Sequence, residues 1–135
     1  MLAWVLPRAD AARAATKGHV AASLVSEAAR VGPGRPFWVA IELVHDPDWH
    51  TYWRNPGDSG LATDIEWTLP QGFRAGEIQW PFPGRIESGP LTSYGYSGRV
   101  LLPVEIEPPQ KIEGSSTVQL AGKVSWLECA DICVP

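Results

Sequence analysis

The chain has 135 residues, a length that fits one domain, since domains cluster at roughly 100 to 150 residues. Hydrophobic residues make up 44% of it and charged residues 19%, a composition that argues against a disordered chain. The formal net charge is -4 and no basic run occurs, so we expect no nucleic-acid partner. No stretch reaches the roughly 18 consecutive apolar residues of a membrane span, so we expect none in this chain.

The first 17 residues differ in character from the rest of the chain. They are rich in alanine and arginine and show no period-2 pattern, so we interpret residues 1–17 as a tail that is briefly helical. Within it, Leu2–Leu6 followed by Ala9–Ala11 resembles the end of a secretory signal peptide. The sequence therefore predicts an exported protein whose single domain covers residues 18–135.

The 13 glycines and 13 prolines leave little room for long helices and favour short strands joined by turns. Four prolines and four glycines lie in Pro70–Pro90, which predicts a long, stiffened loop there. The breaker cluster Asn55–Gly60 separates two of the strands. Alternation of apolar residues predicts strands over 20–24, 37–43, 49–54, 63–69, 94–106 and 117–127. About seven short strands with turns between them predict an all-β, immunoglobulin-like sandwich.

The only two cysteines, Cys129 and Cys133, are separated by three residues. An extended strand would place their Cα atoms about 13 Å apart, whereas a disulfide requires about 4.4 to 6.8 Å. The chain must therefore curl between them if they bond, and a helical or turn-like conformation brings the Cα atoms to about 6 Å. The spacing permits a disulfide without requiring one.

Three roles compete for the cysteine pair. A structural disulfide closing so short a loop would stabilise the fold by only about 2 kcal/mol. Zinc normally takes four ligands, and His19, His45 and His50 lack a finger-like spacing, although copper(I) accepts two thiolates. The third role is a redox-active dithiol that exchanges electrons with other proteins, and a small ring at the edge of a domain suits it. The redox role is favoured, and the other two stay open.

Two acidic residues flank the cysteines. Glu128 and Asp131 place negative charge close to the sulfurs in sequence, and such charge disfavours the thiolate and raises the pKa of a thiol. The reduced form is then not specially stabilised. We therefore hypothesise a pair on the reducing side that passes electrons outward.

Three segments of the sequence, taken together, resemble one known family. Residues 50–60 read His-Thr-Tyr-Trp-Arg-Asn-Pro-Gly-Asp-Ser-Gly, residues 76–81 read Gly-Glu-Ile-Gln-Trp-Pro, and residues 126–135 read Trp-Leu-Glu-Cys-Ala-Asp-Ile-Cys-Val-Pro. In this order they resemble the N-terminal periplasmic domain of the DsbD and ScsB family of thiol:disulfide interchange proteins. The tight cysteine spacing and the proline-rich region after residue 80 favour the ScsB-like branch.

The resemblance implies an immunoglobulin-like sandwich that acts as a periplasmic protein-disulfide reductase domain. Its cysteine pair would take electrons from a membrane-embedded domain of the same full-length protein. It would pass them to periplasmic acceptors such as disulfide isomerases, thioredoxin-like proteins of cytochrome c maturation, or proteins linked to copper tolerance. The resemblance implies no cofactor and no metal, and we expect a monomer.

Site residues follow from the same resemblance. The catalytic pair would be Cys129 and Cys133, with Cys133 forming the mixed disulfide. Aromatic residues would shelter the sulfurs, and a cap loop over residues 81–96 would cover them. The site-lining and cap candidates are Tyr52, Trp53, Phe82, Tyr94, Tyr96, Glu128 and Asp131.

A non-catalytic sandwich with a structural disulfide, binding copper(I) or carbohydrate, is the alternative function. Seven tryptophans could form a sugar-stacking face. Those within predicted strands, Trp38, Trp67 and Trp126, are expected in the core, which leaves Trp49, Trp53 and Trp80 as surface candidates. His50 is interpreted as a hydrogen-bonded strand residue, not as a ligand or a base.

Overall fold

A computed structural model describes residues 2–5, 15–112 and 117–135. These residues form thirteen β-strands and no helix, so none of them lies in a helix that could cross a membrane. In chain order the strands are β1 (Leu2–Val5), β2 (Ala15–Lys17), β3 (Val20–Ser26), β4 (Phe37–His45), β5 (Thr51–Gly57), β6 (Asp64–Thr68), β7 (Arg74–Ala75), β8 (Gly84–Ser88), β9 (Leu91–Tyr96), β10 (Arg99–Glu107), β11 (Leu120–Ser125), β12 (Glu128–Cys129) and β13 (Cys133–Val134).

The strands assemble into an immunoglobulin-like β-sandwich, which confirms the predicted fold class. The largest sheet has five strands in the order β2-β3-β4-β10-β7. Two three-stranded sheets have the orders β1-β11-β6 and β5-β9-β8, and β12 and β13 form a separate hairpin at the end of the chain. The strand pairs within these sheets are antiparallel, so the side chains on each strand alternate between core and surface.

Alternating residues of the central strands build the core. On β10, Leu102, Val104 and Ile106 are fully buried, and the antiparallel register places Leu102 opposite Ile41 of β4. Val124 of β11 packs in the same cluster, so the core lies between the five-stranded sheet and the sheet that contains β11. Each fully buried aliphatic side chain contributes about 1.5 to 3 kcal/mol, which makes this cluster the main source of stability.

The expectation of a tail over residues 1–17 is wrong for the two stretches that the structure describes. β1 pairs with β11, with Leu2 opposite Lys123, and β2 pairs with β3. With four and three residues, these strands are too short to show an alternation, and backbone pairing with β11 and β3 forms them. The predicted cleavage region Ala9–Ala11 lies outside the described residues, and the predicted domain boundary after residue 17 stays a prediction.

Two further boundaries differ from those predicted. The long loop expected over Pro70–Pro90 contains β7 and β8, and β8 pairs with β9 around a turn at Gly89. The strand expected over 94–106 is two strands in different sheets, separated by a bend at Gly98, whose φ of 64° favours glycine. β5 also runs to Gly57, through the start of the breaker cluster, with an irregular register against β9.

The core assignment predicts a large cost for truncating Leu102. Leu102→Ala removes a fully buried side chain and leaves a cavity, so we expect the free energy of unfolding to fall by about 2 to 5 kcal/mol. Leu61, whose exposed fraction is 67%, provides the matched control. Leu61→Ala should change the free energy of unfolding by no more than about 0.5 kcal/mol. Urea denaturation followed by tryptophan fluorescence measures both values. Equal losses for the two variants would contradict the assignment of the core.

Candidate functional site

The two cysteines face each other across the terminal hairpin. Cys129 of β12 is paired directly with Cys133 of β13, and a disulfide joins them with the Cα atoms 4.1 Å apart. The N–H of Ala130 donates to the carbonyl of Ile132 at 2.9 Å and closes the turn between the strands. The chain therefore reverses within three residues, which resolves whether the spacing allows a disulfide.

The hairpin is attached to the sandwich through Cys129 and His50. The N–H of His50 donates to the carbonyl of Cys129 at 2.9 Å, and the N–H of Cys129 donates to the carbonyl of His50 at 3.0 Å. Because the polar backbone atoms of Cys129 point towards His50, its pairing with Cys133 is of the non-hydrogen-bonded type, in which Cα atoms approach most closely. Directly opposed residues project to the same face of a sheet, so His50, Cys129 and Cys133 form a row on one face.

The disulfide has one buried end and one exposed end. Cys129 retains 2% of its accessible surface, whereas Cys133 is exposed. The residues around Cys133 are also exposed, among them Ile132 and Val134 with exposed fractions of 67% and 37%. A reacting group from another protein can therefore approach the Cys133 end of the bond more readily than the Cys129 end.

Tyr52 lies on the same side of β5 as His50, because the two residues are two positions apart in an extended chain. Tyr52 is buried, and its hydroxyl is 3.1 Å from Nε2 of His50. Its ring packs on Gly60, where a Cβ would overlap the ring atoms and where φ is 112°. Burial raises the pKa of Tyr52, so its hydroxyl keeps its proton at neutral pH. The predicted site residue Tyr52 is thus held next to the residue that pairs with Cys129.

Two histidines near the hairpin are uncharged at neutral pH. Burial lowers the pKa of His50, and repulsion from the His45 imidazole when both rings are protonated lowers it further. Burial also lowers the pKa of His45, whose Nδ1 is 2.7 Å from the carbonyl oxygen of Gly98 and whose Nε2 is 2.8 Å from Oγ1 of Thr51. These contacts tie β5 to the end of β4. The sequence interpretation treated His50 only as a strand residue and missed its place beside Cys129.

Glu128 and Asp131 occupy different surroundings, although both are close to the cysteines in sequence. Glu128 is fully buried, and its Oε2 accepts a hydrogen bond from the backbone N–H of His19 at 3.0 Å. Its other oxygen lies against Gly18, and strand alternation directs the side chain away from the face of Cys129. Asp131 is exposed in the turn between the two cysteines. Only Asp131 therefore remains a source of negative charge on the outer side of the disulfide.

The remaining cap candidates divide into two groups. Trp53 and Tyr94 pack edge to face with ring centroids 6.2 Å apart, and together with Phe82, which is 97% exposed, they line an open cleft of about 720 Å³. Tyr96 is instead buried, and its hydroxyl donates to the carbonyl of Pro81 at 2.8 Å. Burial raises the pKa of Tyr96 to about 12. The predicted cap loop over residues 81–96 is in fact mostly the β8–β9 hairpin.

Possible metal ligands and the surface tryptophans are the residues that concern the alternative binding functions. Among the described residues, no three His, Cys, Asp or Glu side chains are grouped to hold a metal ion. Trp49 stacks on the ring of His19 with the ring centroids 3.8 Å apart, whereas Trp53 and Trp80 line the open cleft. The prediction that Trp38 lies in the core is wrong: its exposed fraction is 37%, because its neighbours on β4 take the inward positions.

The chain matches a known family over most of its length. The family model for the N-terminal domain of thiol:disulfide interchange protein DsbD matches residues 21–135. No curated protein sequence matches this chain. Among solved structures it is similar to the crystal structure of the N-terminal periplasmic domain of ScsB from Proteus mirabilis, with 22% sequence identity and a TM-score of 0.66. That match covers 90% of this chain but only 46% of the ScsB structure, and it shows the fold alone.

The position of β5 predicts a strong effect of a methyl group at Gly95. Gly95 lies opposite Tyr52, and a Cβ there would overlap the carbonyl oxygen of Thr51, forcing β5 away from β9. We expect Gly95→Ala to lower the free energy of unfolding by about 1 to 3 kcal/mol. Gly84, opposite Gly95 on the other side, has only an ordinary contact at 3.6 Å, so Gly84→Ala should cost less than about 1 kcal/mol. Thermal unfolding compares the two, and a more damaging Gly84→Ala would contradict this packing.

Proposed function

The chain belongs to the family of DsbD N-terminal domains, and from this premise we propose that it relays electrons between proteins by opening and closing the Cys129–Cys133 disulfide. The observation that carries the proposal is the asymmetric burial of the bond, with Cys133 exposed at the end of a hairpin and Cys129 buried behind it. A disulfide in this position is open to attack by a visiting thiolate. The activity is that of a protein-disulfide reductase domain.

Reduction of the domain begins at the exposed sulfur. A thiolate of the donor attacks Sγ of Cys133, the disulfide bond breaks, and its electron pair leaves on Sγ of Cys129, which then takes up a proton. A second donor thiolate attacks the mixed disulfide, releases Cys133 as a thiolate and leaves the donor oxidised. The domain has then gained two electrons and, once both sulfurs are protonated, two protons.

Transfer to the acceptor runs through the same sulfurs in the opposite sense. The Cys133 thiolate attacks a disulfide of the acceptor, forming a mixed disulfide and releasing one acceptor thiolate. Cys129 then attacks Sγ of Cys133, which restores the internal disulfide and releases the second acceptor sulfur. Cys133 is therefore the nucleophile towards other proteins, and Cys129 is the resolving cysteine.

Exchange explains the position of the disulfide better than structural reinforcement does. A ring this small stabilises a fold by only about 2 kcal/mol in the loop-entropy model. The hairpin is attached to the sandwich by its own backbone hydrogen bonds to His50, so the disulfide is not needed to connect it. The exposed Cys133 end of the disulfide gives a partner protein access to the bond.

Partners and location are part of the same proposal. The related ScsB domain is periplasmic, and we assign this domain to the periplasm as part of an inner-membrane protein. Its electron donor is a membrane-embedded domain of the same full-length protein. Its acceptors are periplasmic thioredoxin-like proteins or disulfide isomerases, including those of cytochrome c maturation and copper tolerance.

Single-cysteine variants test the assignment of the two sulfurs. Reduced Cys129→Ala keeps the exposed Cys133 and lacks the resolving thiol, so it should accumulate a mixed disulfide with an oxidised thioredoxin. Reduced Cys133→Ala keeps only the buried thiol and should form this adduct at least about tenfold more slowly, because burial blocks access. Non-reducing electrophoresis and intact mass measurement follow the adduct.

Equal trapping by the two variants, or electron transfer to thioredoxin by Cys133→Ala, would contradict the assignment of Cys133. Failure of the reduced wild-type domain to transfer electrons to thioredoxin would contradict the proposed relay itself. Trapping of the adduct by Cys129→Ala alone would support both.

A further inference from the structure

The buried sulfur creates a requirement that the exposed sulfur does not share. Cys133 can exchange its proton with water, whereas Cys129 is 2% exposed and must lose a proton each time it attacks and regain one each time it leaves. Burial disfavours a thiolate, so a neighbouring group that accepts and returns the proton would speed both steps.

We propose that His50 is this group: its imidazole takes the proton of the Cys129 thiol during resolution, and, after taking up a new proton from water or from the donor thiol, it protonates Cys129 when Cys129 leaves as a thiolate. This inference rests on the proposed relay through the disulfide. The sequence segments that resemble the family do not by themselves give His50 a chemical role.

The backbone fixes His50 beside Cys129. The two residues exchange both of their backbone hydrogen bonds, at 2.9 and 3.0 Å, and such a pair has its Cα atoms about 5.5 Å apart with both side chains on one face. The register cannot slip by one residue without breaking both bonds. The side chains of His50 and Cys129 are therefore directly opposed neighbours on one face.

Tyr52 prepares the imidazole for the transfer. When Nε2 of His50 carries a proton, it donates to the hydroxyl oxygen of Tyr52 at 3.1 Å, which leaves the lone pair of Nδ1 to accept a proton. The same hydroxyl also accepts from the imidazolium that then forms, so its contact is kept through the cycle. The Tyr52 hydroxyl itself stays protonated, because burial raises its pKa.

Burial is the main reason that His50 stays in the basic form. Burial lowers its pKa, and His45 at the end of β4 adds to this effect, so the imidazole is uncharged and able to accept a proton at neutral pH. Glu128 of β12 lies on the face opposite to that of Cys129 and His50, and Asp131 is exposed in the turn after β12. Before β5, Asp46 is paired with His19 at 3.1 Å. Among these contacts, none supplies His50 with a carboxylate that would hold it protonated.

Resolution of the mixed disulfide involves only the two cysteines, His50 and the acceptor sulfur, with water as a second possible proton acceptor. In the mixed disulfide, Nδ1 of His50 takes the proton from Sγ of Cys129, and the resulting thiolate attacks Sγ of Cys133. The bond between the cysteines forms, the bond from Cys133 to the acceptor breaks, and its electron pair leaves on the acceptor sulfur. The imidazolium then gives its proton to that sulfur or to water, and two electrons have passed to the acceptor.

Ellman's reagent separates the two steps in one absorbance trace. Attack of reduced Cys133 on the reagent releases one thionitrobenzoate, and attack of Cys129 on the resulting mixed disulfide releases the second. We expect His50→Gln to slow the second release about 100-fold at pH 7 while the first stays within about twofold of wild type. The slow release should recover towards wild type as the pH is raised above about 8.5, the ordinary pKa of a thiol, because the thiol then ionises with less help.

His19→Gln is the matched control. It removes a histidine that stacks on Trp49 near the same hairpin but does not pair with Cys129, so both releases should keep the wild-type rate. Tyr52→Phe is a second test should His50→Gln unfold: it keeps the buried ring, removes the partner of Nε2, and should shift the pH at which the second release levels off.

The outcomes separate this inference from the relay. A wild-type domain that never releases the second thionitrobenzoate would contradict the proposed function. A wild-type domain that releases both, with His50→Gln giving the same second rate and pH profile, would overturn the role of His50 alone. A similar slowing in His19→Gln would also overturn it.

Discussion

The two backbone hydrogen bonds between His50 and Cys129 are the constraint on which the candidate site depends. They attach the terminal hairpin to β5 and set its register. Because they occupy the polar backbone atoms of Cys129, the disulfide falls at a closely spaced, non-hydrogen-bonded pair. The same register buries Cys129, leaves Cys133 at the outer edge and brings the side chain of His50 to the face of the sulfurs.

The sandwich holds β5 from several sides, and this makes the constraint rigid. Gly95 permits β9 to lie against the carbonyl of Thr51, and Gly60 packs on the ring of Tyr52. On the other face, Thr51 contacts His45 at the end of β4, which belongs to the central sheet. The reactive hairpin is therefore short and exposed, but its anchor is continuous with the hydrophobic core.

Local pattern was sufficient for the fold class and for much of the core. Alternation in β3, β4 and β10 places Leu24, Ile41 and Leu102 inward, as they are found. The same alternation on β4 should have placed Trp38 outward, since Phe37 and Val39 beside it are buried. The β8–β9 hairpin was missed because its glycines, Pro90 and the prolines that precede it dominate the local signal, while its pairing is made by backbone atoms that composition does not report.

The site was predictable only in part, for a physical reason. The sequence and its family resemblance singled out Cys129, Cys133 and Tyr52, but the residues alone left a redox-active dithiol, a metal site and a structural disulfide open. The choice depends on β12 meeting β5, a pairing between residues almost 80 positions apart, for which no local pattern exists. The position of His50 beside Cys129 and the burial of the Glu128 side chain follow from that pairing. Neither could be predicted from the local sequence.

A redox titration of the domain in glutathione buffers, quenched with a mass tag for free thiols, tests the central claim most directly. The account predicts that two tags appear together as the buffer becomes reducing and disappear together when it is reoxidised, with the sandwich folded throughout. A disulfide that resists mild reductant until the protein unfolds would contradict it.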